Sequence, residues 1–504
     1  MYILAYDLGT GGLKAALFDE SLSITAETFF EYPTFYPGPK LHEQKPSHWW
    51  QAVCGSTQAL LEKVGLDSSQ IGGLALSGAS LVAIPLDKEG TPLLEQVPIW
   101  SDMRAESQAR GFFQAVPQTE WYLATGCGFP PACYSLFKLM WMRENQPEVF
   151  SKTTQVVGSK DYINFLLTGR LATDYSYASG TGAFGLEQGA TRKDFLRAAG
   201  LPEDIFPEPG PSHQEVGQIT PSAAAQTGLR PGTPVFCGGV DNACMAMGAV
   251  GAAEGRSYVS MGSSAWVPVN CKNPVLDAAT RPYTFAHLQE GMYTSAYSLF
   301  AGGNSLRWAR DVLFPELNKD TAYLEMDRLA AAEPLGAGGV LFHPGLAGGT
   351  MQDSTPNLRG AFMNLQLGTS RASLLRAVME GVAMNLALSL ELLRERCPIQ
   401  EPILFCGGGS KSPVWMDIFA DVLNTPLEKS NVDQSAASLG AAAAAARGLG
   451  WWKDYTPLAG VHKRERLAAP NPERARQYQA LLPLFRQVCR AAGELGDIIY
   501  GGKP

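Results

Sequence analysis

The chain has 504 residues, a formal net charge of -8, 45% apolar and 17% charged residues. That balance excludes a disordered chain, and it supplies no basic field to draw in nucleic acid. Single hydrophobic cores stop growing at roughly 250–300 residues, so two large α/β units are expected. Nine cysteines are scattered without a Cys-x-x-Cys pair. An odd count in a long chain fits reduced cytoplasmic thiols better than a disulfide framework. The N-terminus has neither the basic nor the apolar region of a signal peptide. The Ala-rich residues 436–446 stop at Arg447, too short to span a bilayer. From these readings a cytoplasmic protein that binds no membrane is expected.

In chain order, residues 2–6 and 13–18 are apolar strands around the turn Asp7-Leu8-Gly9-Thr10-Gly11-Gly12, a β-hairpin signature. Residues 49–64 have an amphipathic helical pattern. Residues 71–76 and 81–86 are strand-like, with Ser77-Gly78-Ala79-Ser80 between them. A short strand is expected at 155–158 and a helix at 162–167. After the turn Pro231-Gly232-Thr233-Pro234, a buried strand at 235–237 leads through Gly238-Gly239-Val240-Asp241-Asn242 into a small-residue helix at 243–250. Strands at 256–261 and 266–269 flank Gly262-Ser263-Ser264. This second hairpin near the midpoint hints at an internal duplication. The boundary is expected near residues 248–256, giving units 1–250 and 251–504. Further on, 370–396 is helical. A buried strand at 403–406 runs into Gly407-Gly408-Gly409-Ser410-Lys411-Ser412, and helices follow at 415–423 and 436–446.

Three Gly-rich turns carry candidate chemistry. Glycines after Asp7 let backbone N–H groups approach phosphate oxygens, and a carboxylate at a strand end can hold Mg²⁺ directly or through water. Asp241, between a buried strand and a helix, could accept a proton from a substrate hydroxyl. Three glycines from Gly407 allow close approach to a flat ligand or to phosphates. Each motif alone is also what an ordinary turn or N-cap looks like. Gly180-Thr181-Gly182-Ala183-Phe184-Gly185 fits G-x-G-x-x-G but lacks the strand–turn–helix setting of a dinucleotide site. No Walker A motif is present, and His42 and His48 lack zinc-ligand spacing.

With these motifs in this order, the chain resembles the FGGY carbohydrate kinases, and most of all their xylulokinase branch. The resemblance runs from Tyr2 to about Ala446. It is carried by Asp7-Leu8-Gly9-Thr10, Gly239-Val240-Asp241-Asn242, Met261-Gly262-Ser263-Ser264 and the Gly407 to Ser412 turn. Lesser matches are His42-Glu43-Gln44 with Trp49-Trp50, Trp100-Ser101-Asp102-Met103-Arg104, Lys160-Asp161-Tyr162 and Thr173-Asp174.

The resemblance implies an α/β fold of two actin-like, RNase H-like domains with an interdomain cleft, and an ATP-dependent kinase using Mg²⁺. It implies that Asp7 positions the metal and that Asp241 is the base. Gly9, Thr10, Gly11 and Gly12 would contact phosphates from one domain, and Gly262, Ser263 and Ser264 from the other. Gly407, Gly408, Gly409 and Ser410 would border adenosine. Ser80, Leu81, Asp102, Arg104, Asp241 and Asn242 would surround a small sugar. That sugar is expected to be a ketopentose such as D-xylulose, with another ketose, tetrulose or polyol as the alternative. A homodimer is expected. A non-catalytic actin-like protein that binds ATP or sugar is the reading from a different class. Two departures bear on the sugar: Ser80-Leu81 stands where xylulokinases carry Met-His, and Gly349-Thr350-Met351-Gln352-Asp353 lacks the usual Gly-Glu-Arg run.

Overall fold

Strand Tyr2–Leu8 runs antiparallel to Gly12–Phe18, which pairs in turn with Ile24–Glu31. The first two strands are largely buried on both faces, which is what their near-continuous apolar runs require. On the other side of Tyr2–Leu8, Ile71–Gly78 and then Pro234–Val240 join in parallel. Glu215–Gln218 closes the six-stranded sheet as an antiparallel edge. These relations come from a computed structural model that describes residues 1–318, 321–350 and 352–501. Met351 of the departing loop, and the last three residues of the second expected unit, lie outside the described residues.

A second sheet repeats the plan. Tyr258–Met261 is antiparallel to Ala265–Cys271, which pairs with Tyr293–Leu299. Ile403–Cys406 and Leu427–Ser430 join in parallel on the other side. Tyr283–Ala286 and Arg464–Ala468 form the edges of this seven-stranded sheet. Both sheets are therefore an antiparallel meander of three strands continued by two parallel ones. This is the two-domain actin-like α/β fold, and the duplication hinted at by two hairpins extends to whole sheets.

Helix Pro46–Val64 packs on the first sheet, and Arg371–Arg394 lies in the core of the second. Arg371–Arg394 is, among the described residues, the one helix long and apolar enough to cross a membrane, and most of it is buried within the protein. Helix Ala436–Gly448 belongs to the second half of the sequence yet packs on strands of the first sheet. It also crosses helix Asp241–Val250 at backbone contact. A Cβ on Gly440 would stand 2.0 Å from the Cys244 carbonyl oxygen, and one on Gly248 would stand 1.8 Å from that of Ala436.

One expected strand is shorter than its apolar run. Only Ile84–Leu86 is extended, because the chain turns sharply after Gly78 and Leu81 has a left-handed φ of 59°. Burial of Leu81, Val82 and Ala83 is satisfied inside that turn, so apolar content did not mean strand.

Candidate active site

Parallel pairing sets Asp7 level with Ser77, and Ser77 level with Gly239, at the carboxyl ends of three neighbouring strands. Open α/β sheets bind ligands at this end. The Ser77 hydroxyl donates to Asp7 Oδ1 at 2.9 Å. Burial raises the Asp7 pKa, against the opposing pull of Ser77 and the Lys14 charge. Lys14 is the register partner of Asp7, and its ammonium donates to the Gln434 carbonyl at 2.7 Å, from the second half of the chain.

The turn after Asp7 is held from several sides. Gly9 N–H donates to Gly12 O at 3.1 Å, and the Tyr32 hydroxyl donates to Gly9 O. The Gln44 amide donates to Thr10 O at 2.7 Å, and the Trp100 indole donates to the Thr10 hydroxyl at 3.0 Å. Thr10 and Gly11 are left exposed, as an anion-binding turn needs.

Asp241 follows a strand bent at Gly238. A Cβ there would stand 1.9 Å from the Leu76 carbonyl oxygen, and φ is +68°, so only glycine fits. Behind the bend, the Ser176 hydroxyl accepts from Val240 N–H at 2.9 Å and donates to Asp174. Asp174 and Asp161 both pair with Lys160, at 2.9 and 2.5 Å, and all three are buried. This network fixes the strand end from which Asp241 projects. Asp241 accepts Asn242 N–H at 2.8 Å, and the Ser80 N–H and hydroxyl also stabilise its carboxylate. Burial pushes its pKa up to about 7, with the Asp7 charge adding to the rise. A carboxylate poised there is matched to proton abstraction near neutrality.

The second sheet presents its own turns. Gly262, Ser263 and Ser264 are a fully or partly exposed run between Tyr258–Met261 and Ala265–Cys271. Their carbonyls are taken by the start of helix Gly302–Leu313: Gly303 N–H donates to Gly262 O at 2.9 Å and Asn304 N–H to Ser263 O at 3.0 Å. Gly407 N–H donates to the Asp433 carboxylate at 2.5 Å. Gly408, Gly409 and Ser410 form a short 3₁₀ turn, in which the buried Ser410 hydroxyl has no partner. Tyr258 and Tyr283, from this half, lie close enough to Asp241 for its charge to raise their pKa values further.

Three expected substrate contacts are corrected. Leu81 turns its side chain into the core, 1% exposed, because the left-handed turn points it inward. Asp102 is fully buried, accepting from His42 N–H at 2.7 Å and from Arg104 Nε at 2.8 Å. Arg104 also pairs with Glu43 at 2.5 Å and stacks its guanidinium on Trp141. Asp102 and Arg104 thus pin strand Leu41–Gln44 to the 100–104 loop rather than face a ligand. Sequence reading missed Ser77, Ser176 and Lys138. Buried Lys138 donates to Leu81 O at 2.8 Å and to Ile99 O at 2.7 Å, and burial lowers its pKa to about 8. It ties the turn bearing Ser80 to the loop bearing Trp100. Only the strand register, invisible in a sequence, singles out Ser77. For Ser176 the adjoining Thr173-Asp174 match was the available signal.

The family model described as the N-terminal domain of FGGY carbohydrate kinases matches residues 2–248, and that of the C-terminal domain matches 257–449. The chain is 30% identical to the xylulose kinase of Bacillus subtilis (strain 168), covering 97% of this chain and 96% of that one. It is 27% identical to the gluconokinase of the same strain, over 97% and 96%. Among solved structures, xylulose kinase from Rhodospirillum rubrum superposes with a TM-score of 0.91 at 27% identity, covering 98% of this chain and all of that one.

Proposed function

Because the chain belongs to the FGGY family of carbohydrate kinases, we propose that it transfers the γ-phosphoryl group of ATP, with Mg²⁺, to a primary hydroxyl of a small open-chain sugar or sugar acid. D-xylulose is the reference acceptor, since xylulose kinases are among its relatives. The observation that carries the reading is Asp241: a half-buried carboxylate, pushed to about pKa 7, at a strand end beside Asp7.

The residues fit the nucleotide and the metal. The Ser410 hydroxyl is a buried donor without a partner beside Gly407, where adenosine would lie. Asp7 is a hard oxygen ligand of the kind Mg²⁺ takes, and Ser77 orients it. When bound, Mg²⁺–ATP supplies the phosphoryl group and neutralises charge on its oxygens. Gly9, Thr10, Gly11 and Gly12 would cradle phosphates from the first domain, and Gly262, Ser263 and Ser264 from the second. Asp241 takes the proton of the acceptor hydroxyl while Asn242 N–H and Ser80 hold its carboxylate in place. Positioning and charge complementarity supply most of the rate for so loose a transition state. Closure of the two domains excludes water, which would otherwise compete as acceptor.

An ADP-release assay over pentuloses, tetruloses, polyols and aldonic acids tests this. Asp241→Ala should cut kcat about 10²–10⁴-fold while ATP affinity holds, because the base faces the acceptor. Undiminished turnover by the variant would remove Asp241 from the mechanism. No turnover of any acceptor by the native chain would favour a non-catalytic binding protein.

A further inference from the structure

The two sheets fix their ligand-facing turns in the same way. In the first, Ser77 holds Asp7 from the neighbouring parallel strand. In the second, Ile403–Cys406 and Leu427–Ser430 are the parallel neighbours, and their carboxyl ends run into Gly407 and the loop 431–435. Across that end the half-buried Asp433 carboxylate accepts Gly407 N–H at 2.5 Å. A hydrogen bond to a charged acceptor is short and stronger than a neutral one.

Gly407 is where such a hold matters. Its φ is +86°, and a Cβ on it would stand 2.8 Å from Met261 O. The adenosine turn therefore lies against the residue that precedes Gly262, and a shift of Gly407 changes its distance from the phosphate turn of the same sheet.

Asp433 is itself held on both sides. Towards the strand, the Ser430 hydroxyl accepts Val432 N–H at 3.2 Å, and Asn431 exchanges hydrogen bonds with the Lys463 backbone at 2.7 and 3.0 Å. Towards the helix, Gln434 O accepts the Lys14 ammonium at 2.7 Å, and the Ser435 hydroxyl donates to Glu27 at 3.3 Å. Lys14 and Glu27 belong to the first sheet, and Lys14 is the register partner of Asp7. One loop thus links the adenosine turn to the strand beside the metal carboxylate.

We propose that Asp433 is a positioning residue for the nucleotide: it preorganises the Gly407 turn, and the loop that bears it sets the span from that turn to Asp7. This rests on the kinase reading and deepens it. Without the carboxylate the turn must be ordered by the nucleotide itself, and that cost is taken from nucleotide affinity.

Asp433→Ala should weaken ADP binding, and raise KM for ATP, by about 10–100-fold, the worth of one charge-assisted hydrogen bond. KM for the acceptor should stay as in the native enzyme. Asp433→Asn keeps an oxygen that can accept the same N–H, and it should recover most of the loss. Native nucleotide affinity in Asp433→Ala, or an Asn variant as weak as the Ala one, overturns the positioning role. So does an equal loss for ATP and acceptor, which is what a general loosening of the fold produces. Calorimetric ADP binding separates this role from catalysis. A native chain that binds ADP but phosphorylates no acceptor rejects the kinase reading, and ADP binding by the two variants still decides the role of Asp433. A native chain that binds no ADP rejects both.

Discussion

At the scale of single residues, the site stores instability in its base. The Asp241 pKa is raised from an ordinary 3.8 to about 7 in the folded protein. Between those values the native state keeps a proton that the unfolded chain releases. Stability from this group therefore falls as pH rises from about 4 to about 7. Asp241→Asn, which removes the charge and keeps the shape, should raise the unfolding free energy at pH 8 by about 1–2 kcal/mol after allowing for its partial exposure, and the melting temperature with it. The gain should vanish near pH 4. Calorimetry at both values checks this, and an Asn variant no more stable at pH 8 refutes it. Native activity has the opposite slope: kcat/KM rises with pH through about 7 as Asp241 loses its proton.

At the scale of elements, the position of that residue depends on a bend that no side chain can occupy. Gly238→Ala adds a Cβ 1.9 Å from the Leu76 carbonyl oxygen at a positive φ. The strand must move, so Gly239 leaves its register with Ser77 and carries Asp241 with it. We expect at least 10²-fold loss of kcat, the scale of a displaced catalytic group, with a stability loss of about 1–3 kcal/mol. Activity and a denaturant titration check this together; a variant with native kcat would show that Asp241 tolerates the shift. The glycines, the strand and the small-residue helix here were legible in the sequence because turn chemistry and apolar runs are local. The Lys160–Asp161–Asp174 network was visible only as matching letters. Its function comes from burying two carboxylates against one ammonium behind the strand, and it reaches the strand through Ser176, whose hydroxyl takes the distant Val240 N–H.

At the scale of the whole molecule, the halves meet through helices Asp241–Val250 and Ala436–Gly448. Their backbones touch at Gly248 and Gly440. A long side chain at Gly440 must separate them, displacing one helix from the first sheet and the other from the residue it carries at its start, Asp241. Gly440→Leu should cost about 1–3 kcal/mol by overpacking. It should also lower activity, because Gly440 abuts Cys244 in the helix that Asp241 begins; melting curves and the ADP-release assay would show both effects. Unchanged values for both would mean that the crossing yields without moving Asp241.

The sequence by itself determined the order of elements, the glycine turns and the acids at strand ends, because these follow from local propensity and from motifs held within a few residues. It also carried the family. It did not determine which polar residues look into the cleft. Asp102 and Arg104 read as substrate contacts but neutralise each other in the interior, and Leu81 read as a wall of the sugar site but fills the core. Whether a charged side chain faces a ligand or is spent on another side chain is decided by the packing of segments distant in the chain, as when Arg104 meets Glu43.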